Sequence, residues 1–508
     1  MRQNTLLFAR GIIGMALLML VILIVGLMID LGYGRYPLRD LVGFNPIEAR
    51  QLNNLLARNL NQLLAVTFTT VAIAVPLTAN MYSLKFLEFF IKDPVNAAVL
   101  TLVVFSALSN TWMGYSIKDD FVPVFQMHAV LMLVITCFSM LFPYLYYIFR
   151  FLHPNTLLAR LEGEINADLR AAVRRPARAA AYRREVAEGL EHIANIAIRS
   201  IDRSDRNTAI ESVLALDRVA RAYWRVKEQL PPAWFTADPN FFLGFSSKAV
   251  DEFTLSRAWV EMKLFSQLRQ VISAAIPRAH DVTDAIAKTL RRLGLEEIAR
   301  RDVALREMVM EYFNTFARLA LTRKDPRSVF SLFDHYRTYA AALNPDYPDF
   351  VLEIAFYFQY YGQSAREAQL PFLVEAIAHD LGDLVQSAWE NGAPNREKLL
   401  QRFLNYDRQA PAPLPGVKKA QAILASFFLL TKQPAPAALI RQSFAGLDPA
   451  FVHAIRDDLL HIKREKYWEV VERRVHIDYV PGPQRQQLAK FVASLRPAAR
   501  TRRPRPRR

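Results

Sequence analysis

Three residues late in the chain combine metal-binding side chains with helical spacing. His453, Asp457 and His461 stand four residues apart, so a single helix face presents all three. Imidazole and carboxylate together suit zinc or iron. The plainer reading is the polar face of an amphipathic helix, which shows the same spacing. Asp334-His335 and His379-Asp380 are pieces of a histidine–aspartate metal pattern. Neighbouring residues on a helix point apart, however, and the rest of that pattern is missing. There is no GxGxxG, GxSxG, HExxH or P-loop. A single cysteine, Cys137, excludes an internal disulfide framework and any zinc site built on several cysteines. The expectation is a protein that is not an enzyme and needs no cofactor.

A second set of polar residues lies inside apolar sequence: Thr67, Thr69, Thr70, Asn80, Asn110, Thr111 and His128. Polar groups in lipid face other helices or a water-filled path. Apart from His128 none ionises near neutrality, which argues against a carrier built on buried carboxylates. Hydrogen bonding between helices is the plainer role. Thr67, Thr70, Asn80, Asn110 and His128 are also the candidates for a neutral pore wall. Asn80 and Asn110 fall at different depths and are not expected to meet.

The elements that would position these residues follow from charge patterning. The 508 residues are 52% hydrophobic, and the excess lies in the first 150. Four stretches there lack charge for long enough to span a bilayer, with apolar cores near 11–29, 63–84, 94–117 and 123–147. The first has Arg2 and Arg10 ahead of it but no small-residue cleavage site, so it reads as an uncleaved anchor. The fourth ends in PYLYYIF, where an aromatic belt would lie. Asp93-Pro94 is a strong helix start. Pro76 and Pro123 either kink their helices or mark ends.

Basic residues cluster before the first stretch, between the second and third (Lys85, Lys92) and after the fourth (Arg150, Arg160, Arg170, Arg174, Arg175). The positive-inside rule then places both termini in the cytoplasm, although Arg35, Arg39, Arg50 and Arg58 in the first loop run against it.

The segment MYSLKFLEFFIKD, residues 81–93, resembles the signature of a bacterial predicted-membrane-protein family, catalogued as domain of unknown function 2254. That signature is an aromatic, Ser-Pro-Arg, two apolar residues, a polar pair and Phe-Leu-Arg-Asp. Tyr82, Ser83, Lys85, Phe86, Leu87, Phe90, Ile91, Lys92 and Asp93 stand in register with it. The chain departs from it at Leu84, where the family has Pro, at Phe89, and in using Lys for both Arg. Residues 192–220 are similar to the family's cytoplasmic motif. Ser200, Asp205, Thr208 and Ala209 fit one register, and Leu216, Asp217 and Arg218 fit another, a few residues apart. Both prolines of that motif are absent. The resemblance covers residues 60–290. It implies a four-span inner-membrane protein with a helical cytoplasmic domain, and it implies no activity.

Beyond Arg150 the apolar spacing predicts helices over 155–173, 177–201, 208–230 and 248–276. Thr208 and Glu211 form a capping-box pattern. Asp325-Pro326 and Asp448-Pro449 are further helix starts. The aromatic loop 231–245 is expected to pack on a helix or on the membrane surface. FYFQYYG, residues 356–362, reads as core, with a binding surface as the alternative. Residues 474–480 alternate as a short strand would. No repeat of fixed period is apparent.

The fold class expected is therefore all-α: four spans over 1–150, helical cytoplasmic regions over 151–326 and 327–490, and a basic disordered tail over 491–508. The last 13 residues carry seven Arg and no acid. They either solubilise the end or attract anionic lipid headgroups, at about 1 kcal/mol per base near a surface. Specific nucleic-acid binding is not expected. With 64 Lys and Arg against 48 Asp and Glu, the chain carries a net charge of +16. Two functions remain open. A channel-like assembly would need a homo-oligomer, because four spans are few for a pore. A membrane-anchored scaffold or sensor would bind a cytoplasmic partner through its helices. Channel-like behaviour is the slightly favoured expectation.

Overall fold

The computed structural model describes residues 21, 25, 28, 45–83, 85–408, 410–466, 473 and 475–495. The first expected span and the Arg-rich tail lie outside these residues, except for positions 21, 25 and 28 and the start of the tail region. The described chain is all-α and divides into two compact units, residues 1–161 and 162–508.

In the first unit, α1 (Pro46–Met81), α3 (Pro94–Ser116) and α4 (Val124–Phe151) are long and apolar enough to cross a membrane. The short α2 (Lys85–Lys92) turns between α1 and α3. Three such helices stand among the described residues, against the four spans expected. Helix α1 starts well before residue 63. Asn45 and Glu48 form a capping box and Pro46 takes the first turn, so one helix runs for 36 residues. At 1.5 Å per residue that is roughly 54 Å, against about 30 Å of hydrocarbon core. Pro76 and Pro143 lie inside α1 and α4, whereas Pro123 is the N-cap of α4. The core of the unit is made by Ala49, Leu56, Leu60, Met113, Ile117, Met127, Val130 and Val134. Gly114 lets α1 and α3 approach closely: a Cβ there would lie 2.4 Å from the Asn53 amide nitrogen.

Helix α5 (Pro154–Arg174) contains the division between the units. The second unit continues with α6 (Ala179–Asp202), α7 (Arg206–Val226), α8 (Ser247–Leu255) and α9 (Trp259–Ala275). The single helix expected over 248–276 is therefore two, broken where Arg257 adopts φ 54°. Asp205, not Thr208, caps α7; its carboxylate accepts the Thr208 amide. The aromatic loop packs on α9: Trp234 and Trp259 rings lie 5.4 Å apart, and the Trp259 indole donates to the Trp234 carbonyl at 2.9 Å.

From residue 280 onward the helices form stacked hairpins. These are α10 (His280–Arg300) with α11 (Val303–Thr322), α12 (Pro326–Leu343) with α13 (Pro348–Glu367), α14 (Pro371–Glu390) with α15 (Arg396–Leu404), and α16 (Pro415–Leu430) with α17 (Pro434–Gln442). Helix α12 packs on α10, α14 on α12, and α16 on α14. Their starts recur roughly every 45 residues, within the ~40–47 of two-helix solenoid repeats. This corrects the expectation of no periodic repeat: the recurrence lies in backbone punctuation, while the packed side chains vary. α18 (Pro449–His461) and α19 (Gly482–Ala493) complete the unit, so residues 491–493 are helical rather than tail. Helices α10 to α16 pack across position 326 without a break, so the two cytoplasmic regions drawn there form one compact unit. The strand expected at 474–480 reduces, among the described residues, to one isolated bridge between Lys466 and Val475.

The punctuation has a common chemistry. Lys324, Gln369 and Lys432 adopt positive φ (51°, 60° and 58°) at helix ends. In each case the next amide reaches back five residues: Asp325 to Ala320, Leu370 to Ala365, and Gln433 to Phe428, at 2.8–3.0 Å. A proline then opens the next helix. Left-handed backbone costs about 1–2 kcal/mol in any residue with a Cβ. Lys324→Gly is therefore expected to stabilise the chain by about 0.5–1 kcal/mol after its larger unfolded-state entropy is counted, read as a raised Tm. Gly362 works oppositely. A Cβ there would lie 2.0 Å from the buried Tyr406 hydroxyl, which donates to the Val374 carbonyl at 3.0 Å. Gly362→Val is expected to lower Tm markedly, with a loss of about 1–3 kcal/mol from overpacking.

Candidate functional site

The polar residues of the long helices divide: some turn inward, while Thr69, Asn80 and Thr111 are exposed. Asn110 is 2% exposed, and its amide donates to the Asn53 carbonyl of α1 at 3.4 Å. Ser106 of α3 lies 3.2 Å from the Cys137 sulfur of α4. Ser109, Gln126 and Thr67 are buried as well. Thr70 and His128 are half-buried, and the His128 Nδ1 lies 2.8 Å from the Val124 carbonyl one turn back. Asn80 is exposed, so it does not share a site with Asn110. Asn53 is the partner that sequence patterning missed, because it precedes Arg58 and so lay outside the uncharged stretch. Facing away from this seam are Val66, Phe68, Ile73, Leu77, Leu108 and Phe142, all exposed.

The signature segment builds a junction around Asp93, which is 6% exposed. Its carboxylate caps α3 through the amides of Val95 and Asn96 at 3.1 and 3.3 Å. It also accepts the Tyr147 hydroxyl at 2.7 Å and the Arg160 guanidinium at 3.1 Å. Arg160 in turn lies 4.2 Å over the Phe151 ring. Phe86 and Phe90 meet that ring edge-on, with centroids 5.2 and 5.7 Å away. Ser83 accepts the Lys85 amide, and the Tyr82 amide donates to the Thr78 carbonyl. Lys85 and Lys92 both pair with Glu88. These residues hold the turn between α1 and α3 together.

The second motif is likewise structural. The Ser200 carbonyl accepts the Asp205 amide at 2.8 Å, closing the turn before α7. Asp217, 1% exposed, is held by Arg221 and by Arg292, the latter at 2.6 Å. Arg218 forks onto Glu162 at 2.6 and 2.9 Å and reaches Glu211 at 2.7 Å.

Of the histidine sets, His453, Asp457 and His461 are all exposed, and Asp457 is engaged by Arg456. His335 meets Asp284 at 3.1 Å, and that carboxylate also accepts the Ser331 hydroxyl at 2.6 Å. Burial pushes the Asp284 carboxyl up, but the His335 and Ser331 hydrogen bonds outweigh it and hold the group below its ordinary value. His379, on α14, joins Glu375 and Asp478 in a cluster of ligand-type atoms. Asp380 points elsewhere, forked by Arg473 at 2.7 and 2.8 Å. Glu375 and Asp478 carried no sequence signal, since they lie about a hundred residues apart.

The second unit also contains a half-open cleft of about 500 Å³. It is lined by Phe241, Phe242 and Phe245 of the aromatic loop and by Lys263, Gln267 and Arg269 of α9. Lys263 is already satisfied by Glu191 and the Phe241 carbonyl.

No protein-family model matches the chain. No curated protein matches it by sequence. Among solved structures, one titled "Circular tandem repeat protein with novel repeat topology and enhanced subunit contact surfaces" aligns at 13% identity and a TM-score of 0.33. That alignment covers 89% of this chain and 96% of the other. So low a score carries no inference about this protein.

Asp93 gives the sharpest test of the junction. Asp93→Ala removes a cap and strands the Tyr147 hydroxyl and Arg160, an expected loss of about 2–4 kcal/mol. Asp93→Asn keeps an acceptor for the cap and should lose less. Thermal unfolding of the two variants beside wild type, in mild detergent, measures the order. Equal, negligible losses would remove Asp93 from its central place.

Proposed function

We propose that the chain is an integral protein of a bacterial inner membrane, both ends cytoplasmic, that anchors a helical scaffold to the bilayer. The first unit embeds the chain. The second offers a binding surface to a cytoplasmic partner. A relationship to the domain of unknown function 2254 family forms part of this proposal and assigns no activity.

The observation that carries it is the inward-facing polar seam. Asn53, Asn110, Thr67, Ser106 and Ser109 are buried among α1, α3 and α4, while large apolar side chains such as Val66, Ile73, Leu77, Leu108 and Phe142 are exposed, with Thr69, Asn80 and Thr111 exposed among them. Polar side chains placed this way join helices to one another. A pore wall would require them to face water. Stacked helical hairpins favour the scaffold on their own account, because solenoids present long continuous surfaces to partners. The basic tail fits a supporting contact with anionic headgroups.

The expected outcome in planar bilayers is silence. Purified full-length protein should pass no discrete current over a range of voltage, tension and salt. The Asn110→Leu variant should instead unfold at lower temperature, by about 1–3 kcal/mol for the polar partner left behind. Discrete currents altered by Asn110→Leu or Asn80→Leu would reverse the conclusion in favour of a channel-like assembly.

A further inference from the structure

Helix α14 presents Glu375 and His379 one turn apart, on the same face. Asp478 reaches them from the turn that precedes α19. The donor atoms of the three residues all lie within 4.8 Å of one another. His379 and Asp478 are each 7% exposed and Glu375 is half-buried.

The His379 Nε2 and the Asp478 Oδ1 lie 3.2 Å apart as an ion pair, and neither atom has a further hydrogen-bond partner. Two donors bound to one zinc ion at 2.0–2.1 Å, at tetrahedral corners, stand roughly 3.3–3.4 Å apart. The two atoms already have that separation. The other Asp478 oxygen accepts from Lys419 at 3.2 Å, and the Asp478 amide donates to the His476 Nδ1 at 3.1 Å. The Lys419 contact holds the carboxylate with Oδ1 toward His379, as a partner behind a metal ligand does, and the amide contact fixes the turn.

Charge points the same way. Lys419 faces three carboxylates, Glu375 at 3.8 Å, Asp458 at 3.4 Å and Asp478 at 3.2 Å. Even with His379 beside Asp478, the three carboxylates outnumber the cationic groups they face, a negative excess that a divalent ion reduces.

We propose that Glu375, His379 and Asp478 bind one divalent transition-metal ion, with zinc as the probe. One imidazole and two carboxylates suit zinc or manganese. Three protein ligands leave a coordination position for water. The ion clamps the segment before α19 onto α14.

The test uses the full chain in detergent, stripped with chelator and titrated with zinc chloride by calorimetry at neutral pH. The expected result is one ion per chain, with a raised Tm on binding. His379→Gln and Asp478→Asn should each weaken binding by about tenfold or more. Glu375→Gln, at a less buried position, should weaken it by several-fold and serves if a buried variant misfolds. The His453→Gln, His461→Gln double variant should bind as wild type does. Absence of saturable uptake would overturn the proposal. So would uptake that survives all three ligand substitutions, or that disappears with the His453 and His461 pair.

Discussion

Each helix leaves four N–H groups at its start and four C=O groups at its end with no partner inside the helix. A chain that is helical almost throughout meets this demand at every break. Asp93 is the most heavily used answer. Its one buried carboxylate accepts two amides of α3, the Tyr147 hydroxyl of α4 and the guanidinium of Arg160 in α5. The start of one helix thereby becomes the joint of three. In the second unit the demand is met by repetition. A left-handed residue closes one helix, its neighbour's amide reaches back, and a proline opens the next. That device joins α11 to α12, α13 to α14 and α16 to α17.

Burial of polar groups follows the same economy in both units. In the first, Asn53, Asn110 and Ser106 are turned onto neighbouring helices, and many large apolar side chains are left exposed. In the second, charges are buried in knots. Lys227 meets Glu261 at 2.6 Å, Asp217 is held by two arginines, and Asp380 is forked by Arg473. A buried ion pair adds little net stability over a well-packed apolar replacement, while breaking one is costly. In these knots each charge lies within reach of its partners in only one register of the helices. The Glu375, His379 and Asp478 cluster differs from these three in setting an imidazole against two carboxylates.

These placements bear on function. Among the described residues of the first unit, Asn110 and Ser106 of this polar set reach across to neighbouring helices. In the proposed scaffold, recognition falls to the second unit, whose described residues form stacked hairpins and a cleft of about 500 Å³. The exposed Phe356 and Tyr360 divide from the buried Phe358 and Tyr361 along one helix. The aromatic segment 356–362 is thus half core and half surface.

Much of this was legible in local sequence. Asp93-Pro94, Asp325-Pro326 and Asp448-Pro449 start helices because the carboxylate and the proline act within their own turn. The long apolar stretches and the all-helical character follow from periodicity that any window contains. Local pattern misled where two devices competed. Thr208 looked like a cap, but Asp205 lies three residues earlier and takes that role, leaving Thr208 as donor. The regular spacing of hairpins escaped notice because only its turns repeat. Tertiary structure alone decided which polar groups meet: Asn53 with Asn110, Asp93 with Tyr147 and Arg160, and His379 with Asp478 rather than His453 with His461. Local propensity acts over one turn of backbone, whereas a partner for a buried charge or amide is chosen by packing between segments far apart in the chain.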